Sequence, residues 1–296
     1  MSKTPLVSIV ITNYNYADYV GDAIKSALNQ SYTNIEIIII DDGSTDNSIE
    51  VLKKYEKNKK IKIVSRENKG IIYTRNEGVR LSNGVFVMQL DADDTLESTY
   101  VQECLDKAQN SQLDIVYTQT HTFGRVEFDS QHIDFDLEIL KHYGYMHAAS
   151  LVRKSKMKDD PYDRYLEPYG NEDWDMFLDM CLDGATAGLV DRPLLNYRKH
   201  IDRKSRADDL EGLYKEALVQ HHIWTKQNEK HPDQFWYFSS MINALFGLIK
   251  FVEENQKLQG QNDNLKERLK KVEHRKFIYE NTKLYGAYQK IKKHRI

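Results

Sequence analysis

Cysteine is scarce in this chain. Two occur in 296 residues, Cys104 and Cys181, far apart and at no metal-ligand spacing. That excludes a cysteine-based metal module, reads the pair as buried or idle thiols, and fits a reducing compartment. Net charge is small too, −3 from 42 Lys and Arg against 45 Asp and Glu, which argues against a general nucleic-acid binder. Residues 1–5 lack the apolar stretch of a signal peptide, so the strand-like run is expected to open the mature chain. Long apolar runs are lacking as well. The most apolar stretch, residues 235–252, contains Ser239, Ser240, Asn243 and Lys250 and is read as a buried or interfacial helix instead of a membrane span. Neither an internal repeat nor a low-complexity tract is present.

What is there is an alternation of apolar strands and amphipathic helices. Residues 6–12 and 35–40 are short β-branched runs, the pattern of strands buried on both faces. Residues 61–64 and 85–90 read as two more strands. Between them, Tyr19, Ala23, Ile24, Ala27 and Leu28 recur at helical spacing. Ile49, Leu52 and Tyr55 mark a second helix capped by Asp46 or Asn47, and residues 72–81 a third. This order predicts an α/β fold with a mostly parallel sheet and crossover helices. Ligands of such sheets bind beyond the carboxyl ends of the strands. Three polar clusters fall there: 12–15, 41–44 and 91–94. Farther on, 115–118 reads as a strand and 174–182 as a helix opened by Glu172 and Asp173. The pattern from about Leu210 onward is helical.

Asp91-Ala92-Asp93-Asp94 is the strongest chemical signal. Three carboxylates within four residues repel one another unless a cation joins them, and oxygen ligands suit Mg²⁺ or Mn²⁺. Mg²⁺ fills its shell with water and phosphate oxygens, so a diphosphate is its natural partner. A group of turn-forming Asp residues capping the next helix would look similar in isolation. After the second strand, Asp41-Asp42-Gly43-Ser44 can offer a carboxylate to a nucleobase N–H, with Gly43 permitting the turn. Tyr14 is positioned to stack on a base.

Taken together, residues 7–15 (VSIVITNYN), 40–46 (IDDGSTD), 68–70 (NKG) with Arg75-Asn76, and 90–94 (LDADD) resemble the inverting glycosyltransferase family 2, in order and in spacing. The resemblance implies the GT-A fold, a nucleoside-diphosphate-sugar donor and a divalent metal. It makes Thr12 and Tyr14 part of a base pocket, Asp42 the reader of the base, usually uracil or thymine, and Arg75 a basic residue near the nucleotide. Asp91 and Asp93 match the DXD pair, near ribose and metal, and Asp94 is a further metal candidate. A looser resemblance covers the second half. Asn171-Glu172-Asp173-Trp174 looks like the family's Glu-Asp motif, in which the aspartate, here Asp173, serves as catalytic base. Residues 195–200 (LNYRKH) look like the segment that closes over the diphosphate, with His200 as a metal ligand and Arg198 or Lys199 on phosphate. Glu172, Trp174, His147, Tyr145 and Tyr169 are candidate acceptor contacts.

The reading divides the chain into a GT-A domain, 1–208, and a helical extension, 209–296. The domain's nucleotide-binding part would span 1–98 and its acceptor-binding part 99–208. In the extension, Leu258, Leu265, Leu269 and Val272 form a short heptad seam interrupted by Gly260, a candidate for homo-oligomer assembly. Residues 266–296 carry eleven Lys and Arg against three Glu, a local +8 that leaves −11 for the rest. A basic tail suits an anionic surface. The expected setting is cytoplasmic, with peripheral contact at the inner membrane face, and the expected acceptor is a glycan, a lipid-linked glycan or a protein. A sugar-nucleotide nucleotidyltransferase would use a Gly-rich basic loop after the first strand, where Asn13-Tyr14-Asn15 stands instead. A dinucleotide-dependent oxidoreductase would show G-x-G-x-x-G, which is missing. A non-catalytic nucleotide-sugar-binding or assembly protein would not need every carboxylate that is present.

Overall fold

The structure is a computed structural model that describes residues 4–200 and 210–235, with residues 247, 249 and 250. The chain divides into two compact units, Met1–Arg203 and Lys204–Ile296.

In the first unit, β1 (Val7–Asn13), β2 (Ile35–Asp41), β3 (Ile61–Ser65) and β4 (Phe86–Asp91) form a parallel array in the order β3-β2-β1-β4. Every residue of β1 is buried, which is why its run is apolar without alternation. Successive side chains enter opposite layers. Ile9, Ile11, Ile37 and Ile39 pack with Val20, Ala23, Ile24 and Ala27 of α1 (Val20–Leu28), whereas Val10, Ile38, Ile40 and Val87 pack on the other side. The crossovers are α1, α2 (Ser48–Lys53) and α3 (Ile71–Leu81). Asp46 Oδ1 accepts from the Ser48 N–H at 2.9 Å, at the start of α2.

Beyond β4 the chain continues through β5 (Thr95–Leu96), α4 (Tyr100–Asn110), β6 (Ile115–Gly124), β7 (Phe128–Ser130), α5 (Leu137–Leu140), β8 (Leu151–Arg153), α6 (Glu172–Leu182) and β9 (Ala187–Lys199). The full sheet order is β3-β2-β1-β4-β8-β6-β9-β5, with β7 beside β6. β8 runs antiparallel to both neighbours, and β6 and β9 are parallel to each other. Strands β8 and β9 are absent from the sequence reading. Asp191, Arg192 and Pro193 interrupt the apolar run of β9, and Pro193 lies opposite Gln119 where the register with β6 shifts. Proline is tolerated in a sheet at such irregularities.

Register decides where chemistry can occur. Thr12 lies opposite Asp91 and Asn13 opposite Asp41, so the polar ends of β1, β2 and β4 stand level on one rim. Thr95 and Leu96 of β5 pair with Asn196 and Leu195 of β9. The turn 91–94 therefore abuts the end of β9.

In the second unit, α7 (Leu210–Lys230) and α8 (Pro232–Phe235) are helical. The heptad seam and the basic tail lie outside the described residues, as does most of 235–252. Among the described residues, no helix is long and apolar enough to cross a membrane.

Gly78 shows what the helix–sheet contact demands. A Cβ at this position would overlap Val10 Cγ1 of β1. Glycine inside a helix costs about 1 kcal/mol relative to alanine, so Gly78→Ala should stabilise α3 if propensity governed. Val10 is β-branched and enclosed, and overpacking costs about 1–3 kcal/mol. Gly78→Ala is thus expected to lower stability by about 1 kcal/mol, read as a lower urea midpoint at unchanged slope.

Candidate active site

The site begins with two adjacent aspartates that alternate. Asp41 ends β2 and is fully buried. It accepts from Asn13 Nδ2 at 2.8 Å and from Ser44 Oγ at 2.5 Å. Ser44 Oγ in turn accepts from the Asn15 N–H at 2.9 Å. Asp41 thus ties the loops after β1 and β2 together. Asp42, the next residue, faces the other way. Its carboxylate accepts from the N–H groups of Lys69 and Gly70 at 2.8 and 2.9 Å and pairs with Arg66. A carboxylate offers about four acceptor positions, so one remains beyond these three, and Asp42 is among the residues that line the cleft. Gly43 has φ 73°, and a Cβ there would press on the Asn68 nitrogen at 2.6 Å.

The second element is Arg75, buried on α3. Its Nη2 donates to Asp91 Oδ1 at 2.8 Å, and its Nη1 pairs with Glu172. Burial alone would pull the guanidinium pKa down; the charges of Asp91 and Glu172 outweigh it and raise the pKa well above its ordinary value. Arg75 thereby joins the end of β4 to the start of α6.

A third group closes the rim. His200 Nε2 lies 2.8 Å from Asp93 Oδ2. Arg198 donates through Nε to the Asp93 carbonyl at 3.0 Å, and its guanidinium lies over the rings of Tyr19 and Phe123, 4.6 and 4.4 Å from their centroids. The His200 ring meets Tyr19 edge-on at 5.3 Å. These aromatic faces favour the cation electrostatically and hold the end of β9 against the 91–94 turn.

Asp173 sits in the first turn of α6. The chain reaches it through two left-handed residues, Gly170 at φ 77° and Asn171 at φ 62°. Glycine adopts that conformation freely and asparagine is enriched in it. The Asp173 carboxylate accepts from the Trp174 N–H at 2.8 Å. Burial first, then the charge of Glu172, pushes its pKa up to about 6, against the pull of Arg75. Asp91 also contributes to this shift, which puts Asp173 within the same electrostatic neighbourhood.

A cleft of about 480 Å³ opens on the rim, lined among others by Thr12, Tyr14, Asp42, Gly70, Arg75, Asp91 and Asp93. Tyr14 is 46% exposed, with its ring available to a ligand. Asp93 supplies a carboxylate oxygen and His200 an imidazole nitrogen 2.8 Å from it, a donor pair whose chemistry suits Mn²⁺ or Mg²⁺, whereas Asp91 Oδ1 is taken by Arg75.

Several expectations need correction. Asp94 is buried, its Oδ1 accepting from the Arg198 N–H at 2.8 Å. Burial first, then the charges of Asp91 and Asp93, raise its pKa, and its bond to the Arg198 N–H holds the end of β9 against the turn. Lys199 is exposed, and strand alternation directs it to the face opposite Arg198 and His200. Trp174 is buried, with its indole N–H on the Leu140 carbonyl at 2.6 Å, which removes it from acceptor stacking. Tyr145 is also buried and packs edge-on against Tyr117. His147 sits against Thr118, and burial pushes its pKa down to about 3, so it is a neutral packing residue. Glu172 faces Arg75. Tyr169 is half-buried beside Tyr165, at 5.7 Å between ring centroids. Sequence reasoning missed Arg66, Glu167, Tyr16, Tyr19 and Phe123. No local pattern marks them, because each acts through a partner distant along the chain.

Residues 8–162 match the family model described as Glycosyl transferase family 2. Among curated proteins, the chain is 40% identical over 127 residues to a chondroitin synthase of Escherichia coli, covering 42% of this chain and 18% of that protein. It is 42% identical over 120 residues to a hyaluronan synthase of Pasteurella multocida, covering 40% of this chain and 12% of that protein. The chain therefore spans less than a fifth of either relative. Among solved structures, S. aureus TarS 1-349 in complex with UDP-GlcNAc aligns with TM-score 0.60 at 17% identity, over 74% of this chain and 66% of that one. A mannosyltransferase of Pyrobaculum calidifontis in complex with GDP-Man and Mn²⁺ aligns with TM-score 0.55 at 14% identity, over 77% and 65%. The parallel β3-β2-β1-β4 array, the level polar strand ends and the matched family model agree, and the chain belongs to glycosyltransferase family 2 with the GT-A fold.

Proposed function

We propose that this chain transfers a sugar from a UDP- or dTDP-type donor to a hydroxyl of an acceptor, with inversion, in the synthesis of a surface glycan or glycoconjugate. The observation that carries the reading is convergence. Asp42, Asp91 and Asp93 line one cleft with Arg75, and Arg75 pairs with Glu172, the residue next to Asp173, whose pKa responds to both Arg75 and Asp91. Tyr14 and Asp42 would take the base by stacking and by the open acceptor position. The 1–98 part would bind the nucleotide and the 99–208 part the acceptor, a glycan, a lipid-linked glycan or a protein. The UDP-GlcNAc complex of TarS and the names of the glycan synthases support the reading by analogy.

The chemistry follows from charge placement. The acceptor oxygen attacks the anomeric carbon as the bond to the donor phosphate breaks and nucleoside diphosphate departs. Asp173 takes the proton the acceptor hydroxyl loses, and a base with pKa near working pH is well matched to that task. Asp93 and His200 would hold Mn²⁺ or Mg²⁺, which when bound would neutralise charge on the leaving diphosphate, and Asp91 would stand on the nucleotide side. Arg198, fixed through Nε and two rings, would present its remaining N–H groups to phosphate.

Slow donor hydrolysis, with water standing in for the acceptor, tests this without knowledge of the acceptor. In a panel of nucleotide sugars with Mn²⁺, one donor is expected to be cleaved to sugar and nucleoside diphosphate. Conversion of a nucleotide sugar to nucleoside triphosphate and sugar 1-phosphate on addition of pyrophosphate would instead favour a nucleotidyltransferase. Asp93→Ala should lower hydrolysis by about 10²–10³-fold and abolish the Mn²⁺-dependent thermal shift by nucleotide; retention of both would remove the metal assignment. For Asp173, the ionised form is the active one. Hydrolysis should rise with pH through about 6 and then level. Asp173→Asn should keep nucleotide affinity, lose about 10²–10⁴-fold in rate and lose that acid limb. A limb surviving in this variant would reassign the base.

A further inference from the structure

Three ties run from one face of α3 to the segment that leads into Asp173. Asn76 bonds both ways with the Tyr162 backbone, at 2.8 and 2.9 Å. Arg75 pairs with Glu172. Between these, the Ile72 N–H donates to Glu167 Oε2 at 3.0 Å. Helix α3 starts at Gly70, which provides no side-chain cap, and its first N–H groups would otherwise lack partners. Glu167 supplies the cap from 95 residues farther along the chain. A carboxylate there also complements the helix dipole. A Cβ at Gly70 would overlap the Glu167 carboxylate, so glycine at position 70 leaves the space that the carboxylate fills.

The same turn holds the base-side carboxylate. The N–H groups of Lys69 and Gly70 bond Asp42, and the Ile72 N–H, two residues on, bonds Glu167. Leu166 is fully buried and anchors the Glu167 segment. The remaining chain from Glu167 to Asp173 is six residues, including the left-handed pair Gly170 and Asn171. A ligand that bonds Asp42 would bear on the carboxylate that already holds the Lys69 and Gly70 N–H groups, two residues before the Ile72 N–H that Glu167 takes.

We propose that Glu167 is a positioning residue that makes the seating of segment 163–171, and hence of Asp173, depend on occupancy of the nucleotide site. The inference rests on the donor-site reading above. It goes beyond that reading by coupling the donor pocket to the base through Glu167, which does not line the cleft.

Hydrogen exchange of the full chain, followed in peptides covering 163–171 with and without UDP or dTDP plus Mn²⁺, tests it. Nucleotide affinity is measured in parallel by calorimetry. In the unaltered protein, nucleotide is expected to slow exchange in this segment about tenfold, the scale of one helix cap. Glu167→Gln keeps an oxygen for the Ile72 N–H and should keep the protection. Glu167→Ala, and Glu167→Asp, which is one methylene shorter, should lose it while affinity changes less than about threefold. Nucleotide binding without protection of 163–171 would overturn the coupling, as would full protection in the Ala and Asp variants or its loss in the Gln variant. Absence of binding by either nucleotide to the unaltered protein would overturn the donor-site reading and this inference with it.

Discussion

Everything in the site turns on the buried guanidinium of Arg75, held between Asp91 and Glu172. Four carboxylates, Asp91, Asp93, Glu172 and Asp173, crowd this part of the rim, and their repulsion opposes folding. One guanidinium, with its fork of fixed donors, satisfies a carboxylate from β4 and another from α6 at once. Breaking such a buried pair typically costs about 3–5 kcal/mol, because the abandoned charges stay desolvated. The bridge also sets the neighbouring electrostatics. Asp173 experiences the burial and the charge of Glu172, moderated by Arg75, and its pKa settles at about 6. A structural cross-link and a raised Asp173 pKa are thus two consequences of one arrangement.

Around this centre, each polar strand end divides its labour between support and display. Asp41 is spent internally on Asn13 and Ser44, whereas Asp42 faces the cleft with one acceptor position open. Asp94 holds the backbone of Arg198, whereas Asp93 meets His200. Strand alternation makes this division automatic at the end of β2, since adjacent side chains point to opposite faces. Two of the five aspartates in these clusters, Asp41 and Asp94, are thus engaged by the chain itself and hold the loops that carry the others.

The end of β9 reaches the carboxylates of the 91–94 turn because of topology. β5 is two residues long, yet its antiparallel pairing with β9 brings residues 195–200 beside the turn 91–94. Tyr16, Tyr19 and Phe123 then enclose His200 and Arg198 from the loop after β1 and from β6. Rigid aromatic contacts of this kind reduce the ordering that ligand binding would otherwise require.

The sequence by itself determined the parallel half of the fold and the three polar clusters on its rim. Runs such as 6–12 and 35–40 bury both faces, so their apolar content is continuous and legible, and turn chemistry marks their ends. Tertiary structure decided the rest. That Asp94 is engaged by the backbone of β9, that Lys199 faces away from Arg198, and that Trp174, Tyr145 and His147 belong to the interior depends on which face each element turns inward in the irregular half. There strands are short, broken by Pro193 and charged residues, and carry no clean period. Arg66, Glu167 and Tyr19 were illegible for a different reason. Their partners lie 24, 95 and 179 or more residues away along the chain, and pairing at such separations is set by sheet order and helix packing, which no local pattern encodes.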